Sequence, residues 1–134
     1  MGRIRAAAAG FALLCLSALP GCDVKLVKLQ LPSFFSAGVT QLWFWRLDER
    51  SGGYVRNGRV EVDGLVGPSG AKSLQYTIIF PNGTSGVTLK APVAVSGDSI
   101  IVGLNYTVFQ HGWYRVSARN GAGESPLSQR EIYL

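Results

Sequence analysis

Cysteine and histidine, the residues from which many reactive and metal sites are built, are scarce in this chain of 134 residues. The two cysteines are Cys15 and Cys22, and His111 is the single histidine. Since Cys15 lies in an apolar N-terminal run, the remainder has one cysteine and cannot form an internal disulfide. A zinc site needs several His or Cys ligands, so we interpret His111, beside Gly112 in a predicted loop, as a solvated turn residue.

Charge is also sparse. Charged residues make up 16% of the chain and the net charge is +5, without a cluster of basic residues. Nucleic-acid binding domains normally carry such a cluster, so we expect no nucleic-acid partner. Hydrophobic residues make up 47% of the chain, which is enough for a domain that is stabilised by burial alone.

Motifs of catalysis are missing as well. There is no Ser-His-Asp arrangement, phosphate-binding loop or dinucleotide fingerprint. Two carboxylate pairs, Glu61 with Asp63 and Asp48 with Glu49, have the spacing of acid–base partners or calcium ligands, but no supporting motif accompanies them. We interpret both pairs as solvated and predict a protein that is not an enzyme, with no cofactor and no metal site. A hydrolase built on Glu61 and Asp63 is the alternative.

A long apolar run is absent too. Residues 6–19 are uncharged and apolar and follow Arg3 and Arg5. These 14 residues fall short of the about 20 that a membrane-spanning helix requires, whereas a basic start followed by a short apolar run is the layout of an export signal. We predict a signal peptide over residues 1–21. Its removal leaves 113 residues, the size of one domain.

The sequence Leu19-Pro20-Gly21-Cys22 resembles the lipobox of bacterial lipoproteins, in which a Leu lies three residues before the modified cysteine. The resemblance implies that the Cys22 thiol forms a thioether to diacylglycerol and that the freed amine is often acylated. It places the protein in the bacterial cell envelope, anchored to the inner or outer membrane. Ordinary cleavage that leaves a soluble secreted protein is the alternative.

The residues after Cys22 have little of the glycine and serine of a flexible tether. Residues 24–31 are half apolar and have the character of a β-strand. We assign residues 22–35 to a membrane-proximal segment and residues 36–134 to the folded domain, which we therefore expect close to the bilayer.

From Val39 onward, short strands alternate with turn residues, and no stretch has helical periodicity. Asn57-Gly58 stands between two alternating runs and predicts a β-hairpin. Other strands are predicted at residues 39–47, 74–80, 87–91, 99–104, 112–119 and 127–134. Seven or eight strands without helices favour an all-β fold of two packed antiparallel sheets, a β-sandwich. A barrel is the structural alternative.

One segment of about a dozen residues, 112–124, resembles the F strand and F–G turn of immunoglobulin domains. The residues that match are Tyr114, Ala118, Asn120 and Gly123, with Val116 at the position of the cysteine. The resemblance implies an immunoglobulin-like sandwich without a disulfide; fibronectin type III domains share the end of the pattern. Tyr114 is then a candidate tyrosine corner, whose hydroxyl bonds back to nearby backbone.

Trp43-Phe44-Trp45 is the candidate binding motif. Neighbouring side chains on a strand point to opposite faces, so both faces of this strand are apolar. One face serves the core. The other must be covered by another segment, such as residues 24–35, or offered to a partner, the membrane or a sugar ring.

These features predict a membrane-anchored, non-catalytic module that binds a protein of the envelope. Its partners would be the bilayer, through acylated Cys22, and an envelope protein. The alternatives are a carbohydrate- or peptidoglycan-binding module that uses exposed aromatic residues, and a soluble secreted protein with the same fold.

Overall fold

The computed structural model describes residues 23–134; the predicted signal peptide and Cys22 lie outside the described residues. In chain order the elements are β1 (Asp23–Leu31), α1 (Phe34–Ala37), β2 (Gln41–Leu47), β3 (Tyr54–Val66), β4 (Ser73–Ile79), β5 (Ser85–Ser96), β6 (Ser99–Val108), β7 (Trp113–Asn120), β8 (Gly123–Glu124) and β9 (Ile132–Tyr133). All of the strand pairs are antiparallel. The prediction of an all-β class is confirmed.

The strands form one curled sheet in the order β1-β6-β5-β4-β3-β2-β7-β8, and β9 also pairs with β7. The long strand β5 makes the bend, because Ser85 to Pro92 pair with β4 whereas Val93 to Ser96 pair with β6. The sheet therefore folds over on itself into two layers. Within the described residues, β1 and β8 at its two ends do not pair with each other, so the sheet is open and the barrel alternative is wrong.

The core lies between the two layers. Every second residue of β6 is buried. These side chains pack against inward-facing residues of β1, β2, β3, β4 and β7. The rings of Phe44 on β2 and Tyr106 on β6 stack with their centroids 3.9 Å apart. Tyr76 on β4 also spans the interior, since its hydroxyl oxygen accepts a hydrogen bond from the Asn105 amide at 2.9 Å. The packing is sandwich-like.

The segment expected to be membrane-proximal, residues 22–35, is part of this body from residue 23 onward. Strand β1 pairs with β6 along its whole length, from Asp23 opposite Val108 to Leu31 opposite Ile100. Val27 is buried in the core, as is Leu31. The predicted boundary at residue 36 thus falls inside a single domain, because the inward side of β1 completes the core.

The predicted hairpin at Asn57-Gly58 is wrong. Both residues lie inside the uninterrupted strand β3, where Phe44 pairs with Gly58 and Trp45 with Arg56. Asn57 is the extra residue of a β-bulge. Glycine is needed here for close approach, since a Cβ on Gly58 would lie 2.5 Å from the Tyr106 hydroxyl oxygen.

The predicted strand over residues 127–134 is also wrong for most of its length, because only Ile132–Tyr133 is a strand. Ser128 provides the reason. Its hydroxyl oxygen accepts a hydrogen bond from the Val116 backbone N–H at 3.0 Å, where a regular ladder would have a backbone carbonyl. Its own backbone N–H donates a hydrogen bond to the Val116 carbonyl oxygen at 2.8 Å. The C-terminal segment thus follows the edge of β7 without forming a regular ladder.

Candidate interaction surface

The Trp43-Phe44-Trp45 motif is divided between the two faces of β2. Phe44 points into the core and is 0% exposed, so it is not available to a partner. Trp43 and Trp45 lie on the outer face, where both are half-buried. Strand β1, which makes up most of residues 24–35, does not cover them, because it pairs with β6 in the other layer of the sheet.

Arginine side chains from β3 cover the two indoles. The Arg56 guanidinium carbon lies 4.2 Å from the ring centroid of Trp43 and 5.0 Å from that of Trp45. The Arg59 guanidinium carbon lies 5.1 Å from the Trp43 centroid. All three distances are within the range of cation–π attraction.

The bulge at Asn57 makes this arrangement possible. Side chains alternate along a strand, so Arg56 and Arg59 would face opposite sides of a regular strand. The extra residue reverses the alternation between them. Arg56 therefore stands opposite Trp45 and Arg59 opposite Trp43 on the same outer face.

A third arginine continues the pattern on β7. The Arg115 guanidinium carbon lies 5.0 Å from the ring centroid of Tyr54. Within the described residues, neither the buried Arg115 Nε nor the buried Tyr54 hydroxyl has a hydrogen-bond partner. We refer to the whole surface as the aromatic–arginine face; its members are Trp43, Trp45, Tyr54, Arg56, Arg59 and Arg115.

Hydrogen bonds hold both indoles in place. Trp43 Nε1 donates to Gln41 Oε1 at 2.9 Å, and Trp45 Nε1 donates to Ser117 Oγ at 2.9 Å. The Gln41 amide nitrogen in turn donates to Glu61 Oε2, and the Ser117 hydroxyl to Glu124 Oε2. Each indole is thus fixed through a polar residue to a carboxylate.

The same two carboxylates bind the arginines. Arg59 Nε lies 2.5 Å from Glu61 Oε2, and Arg56 forms an ion pair with Glu124. Two of the three arginines of the aromatic–arginine face are therefore paired with a glutamate, and Arg115 has no ion pair among the described residues. The face has an excess of positive charge.

The candidate carboxylate pair Glu61 and Asp63 does not form a joint site. Asp63 is the extra residue of a second bulge, between Val62 and Gly64. Its carboxylate accepts a hydrogen bond from Thr77 Oγ1 at 3.1 Å, whereas Glu61 binds the arginine–tryptophan network. Across residues 23–134, no three His, Cys, Asp or Glu side chains gather in a way that could hold a metal ion.

The other carboxylate pair and the histidine occupy turns. The Asp48 carboxylate accepts the Arg50 amide at 3.2 Å and the Ser51 hydroxyl at 2.9 Å, which shapes the turn before β3. Its neighbour Glu49 is exposed. His111 is exposed in the loop before β7, with Nδ1 3.2 Å from the Leu134 carbonyl oxygen.

The residues that carry the immunoglobulin resemblance have structural contacts. The fully buried Tyr114 donates its hydroxyl proton to the Gln110 carbonyl oxygen at 2.5 Å, so it bonds back to the backbone four residues upstream. Burial raises the pKa of Tyr114 to about 12. Asn120 Oδ1 accepts the amides of Ala122 and Gly123, which holds the turn into β8.

Sequence reasoning found the tryptophans but missed the arginines. The alternation of residues 39–47 placed Trp43 and Trp45 on one face. Arg56 and Arg59 were missed because the hairpin predicted between them obscured their common strand. The useful signal was the excess of arginine over lysine around the hydrophobic residues of β3, since arginine stacks on aromatic rings better than lysine.

No helix among residues 23–134 has the length and apolar character needed to cross a membrane. The chain matches no family model, no curated protein and no solved structure.

Proposed function

We propose that this chain is a lipid-anchored protein of the bacterial cell envelope that binds an acidic partner protein through its aromatic–arginine face. The observation that carries the proposal is the set of arginines stacked on fixed aromatic rings, with more positive than negative charge. Arginine and tryptophan are enriched at the centres of protein interfaces. A rigid surface of this kind loses little side-chain entropy on binding.

The anchor in this proposal is a diacylglycerol on Cys22, after cleavage of residues 1–21. Two or three acyl chains hold a protein on a bilayer far more firmly than one chain, which binds reversibly. The absence of catalytic motifs and the dispersal of the candidate carboxylates favour a binding role over a hydrolase.

We further propose that the fold is an immunoglobulin-like sandwich. The pairs β1–β6, β2–β3, β2–β7 and β7–β8 correspond to the pairs B–E, C–C′, C–F and F–G of that fold, and β4 and β5 then continue the sheet from C′ towards E. The bond from Tyr114 to the Gln110 carbonyl supports this assignment, because it has the form of a tyrosine corner. The fold alone does not imply a function.

Carbohydrate binding is the second candidate, and the stacked arginines argue against it. A sugar ring binds flat on an aromatic ring, but Arg56 already covers both indoles, and Arg59 also covers Trp43. A sugar would have to displace these guanidinium groups. A partner carboxylate can instead bind the outer edges of the guanidiniums while the stacks stay in place.

The test is chemical cross-linking in native membranes, followed by identification of the partner. The double variant Arg56→Gln/Arg59→Gln removes two charges from the face, and Lys72→Gln/Lys90→Gln removes two charges elsewhere. We expect the first variant to lose the cross-linked species and the second to keep it. Retention of the species in both variants contradicts the proposed surface, and a shift of tryptophan emission by peptidoglycan fragments supports the carbohydrate alternative.

A further inference from the structure

The start of β1 marks the end of the domain that is nearest to the predicted lipid site. Asp23 pairs with Val108, the last residue of β6. The four-residue loop 109–112 then leads directly to Trp113, the first residue of β7. Tyr133 pairs with Trp113. Asp23, Trp113 and Tyr133 therefore lie at the same end of the sandwich-like body.

The chain leaves no room for a tether between this end and the lipid. Cys22 directly precedes Asp23, and consecutive Cα atoms are about 3.8 Å apart. Asp23 is already the first residue of β1, where it stands opposite Val108 in the sheet. A flexible linker would let the domain move away from the membrane. Without one, acyl chains on Cys22 would keep this end of the domain against the bilayer surface.

Two aromatic residues are exposed at this end. Trp113 is 44% exposed and Tyr133 is 61% exposed, and their rings pack edge to face with centroids 5.4 Å apart. Trp43 and Trp45 are different, since each donates its N–H to a side chain. The indole N–H of Trp113 donates no hydrogen bond to any of the described residues. Its polar edge is available to another acceptor.

We propose that Trp113 and Tyr133 form a membrane-interface contact, which enters the headgroup region of the bilayer that holds Cys22 and fixes the orientation of the domain. This inference rests on the proposed lipid anchor. Trp and Tyr are enriched at membrane–water interfaces because their rings are apolar and their N–H and O–H groups bind headgroups and water. Strand β7 then runs away from the membrane and its antiparallel neighbour β2 runs towards it, so the aromatic–arginine face on these strands is presented sideways to its partner.

The experiment uses the processed full-length protein in vesicles of phosphatidylethanolamine and phosphatidylglycerol, with brominated acyl chains as a short-range quencher of tryptophan fluorescence. The variant Trp43→Phe/Trp45→Phe has Trp113 as its single tryptophan. The matched variant Trp113→Phe keeps the other two. We expect quenching at least about twofold stronger in the first variant than in the second, since only Trp113 would reach the interface.

Equal quenching in the two variants, or no quenching of Trp113, overturns the inference. Should the double variant fail to fold, the difference between the parent protein and Trp113→Phe reports on the same residue. The inference is also overturned if a second copy of the chain cross-links over Trp113 and brominated lipid does not quench its fluorescence.

The mass of the N-terminal peptide separates this inference from the proposed function. An unmodified Cys22 refutes the lipid anchor, and the inference with it. An acylated Cys22 with an unquenched Trp113 refutes the interface contact alone.

Discussion

The two faces of β2 show how one strand can use aromatic residues in two ways. On the inner face, Leu42 and Phe44 are 0% exposed, and Phe44 stacks on Tyr106 from the opposite layer. On the outer face, Trp43 and Trp45 remain half-buried under arginine side chains. Apolar neighbours hold the inner rings, whereas cations and hydrogen bonds hold the outer ones. The inner face therefore serves stability, and the outer face is suited to recognition.

The largest expected effect tests the inner face. Phe44→Ala leaves a cavity against Tyr106 and should lower the free energy of unfolding by about 3–5 kcal/mol, measured by urea denaturation. Trp43→Ala is the comparison on the outer face and should cost less, because its ring is only half-buried. Equal losses from the two substitutions would contradict the division between the faces.

The bulge at Asn57, which aligns the arginines on the outer face, also brings the backbone of Gly58 close to Tyr106 on the inner face. In Gly58→Ala the new Cβ would lie 2.5 Å from the Tyr106 hydroxyl oxygen and 3.2 Å from the Ile79 carbonyl oxygen. We expect a loss of about 1–3 kcal/mol in unfolding free energy. Because the nearest atom is the hydroxyl oxygen, adding Tyr106→Phe should recover part of the loss.

The control for this prediction is Tyr106→Phe alone, which completes a double-mutant cycle. Strictly additive effects of the two substitutions would show that the Tyr106 hydroxyl is not the reason for glycine at position 58. Tryptophan emission in Gly58→Ala also reports on the outer face, since a displaced bulge would move Arg56 off the indoles.

A smaller effect is expected at the buried tyrosine of β7. Tyr114→Phe leaves the Gln110 carbonyl without its side-chain donor and should cost about 1–2 kcal/mol. Burial raises the pKa of Tyr114 from 10.0 to about 12. Since the folded state holds this proton more tightly, its contribution to stability is full below pH 10.0 and is lost as the pH rises to about 12.

The measurement is urea denaturation of the parent and of Tyr114→Phe at a series of pH values through this window. The variant should lose stability less steeply. Some loss should remain, because burial also raises the pKa of Tyr76 and of Tyr106. Parallel curves for the two proteins would show that Tyr114 does not titrate differently in the folded and unfolded states.

Local pattern was enough to predict where most strands lie, but not how they pair. The alternation of residues 74–80 located β4 (Ser73–Ile79) within one residue at each end, because β-branched residues and a following Pro-Asn-Gly turn are local signals. The pairing of β1 with β6 joins residues about 80 positions apart, and no local signal specifies it. That is why the N-terminal strand was assigned to a segment outside the domain.

For the same reason, the sequence predicted the tryptophans of the candidate surface but not its arginines. Alternation alone separates Trp43 and Trp45 from Phe44. The arginines that cover them depend on one extra residue, Asn57, whose effect is seen only against the partner strand. Asn-Gly is the strongest local hairpin signal. In the folded chain, however, Tyr106 needs the space beside Gly58, and this tertiary packing outweighs the local turn propensity.

The smallest expected effect is on the outer face. Arg56→Gln removes the stacked cation and the ion pair with Glu124. An exposed cation–π contact contributes about 0.5–1 kcal/mol and a surface ion pair about 0–1 kcal/mol. Because one guanidinium serves both stacks and the ion pair, urea denaturation should show a total loss of about 1 kcal/mol, and Lys90→Gln, outside the face, should show none. If Arg56→Gln destabilised the domain as much as Phe44→Ala, the arginine would be a structural clamp. A small loss of stability combined with loss of the cross-linked partner would instead assign the outer face to recognition.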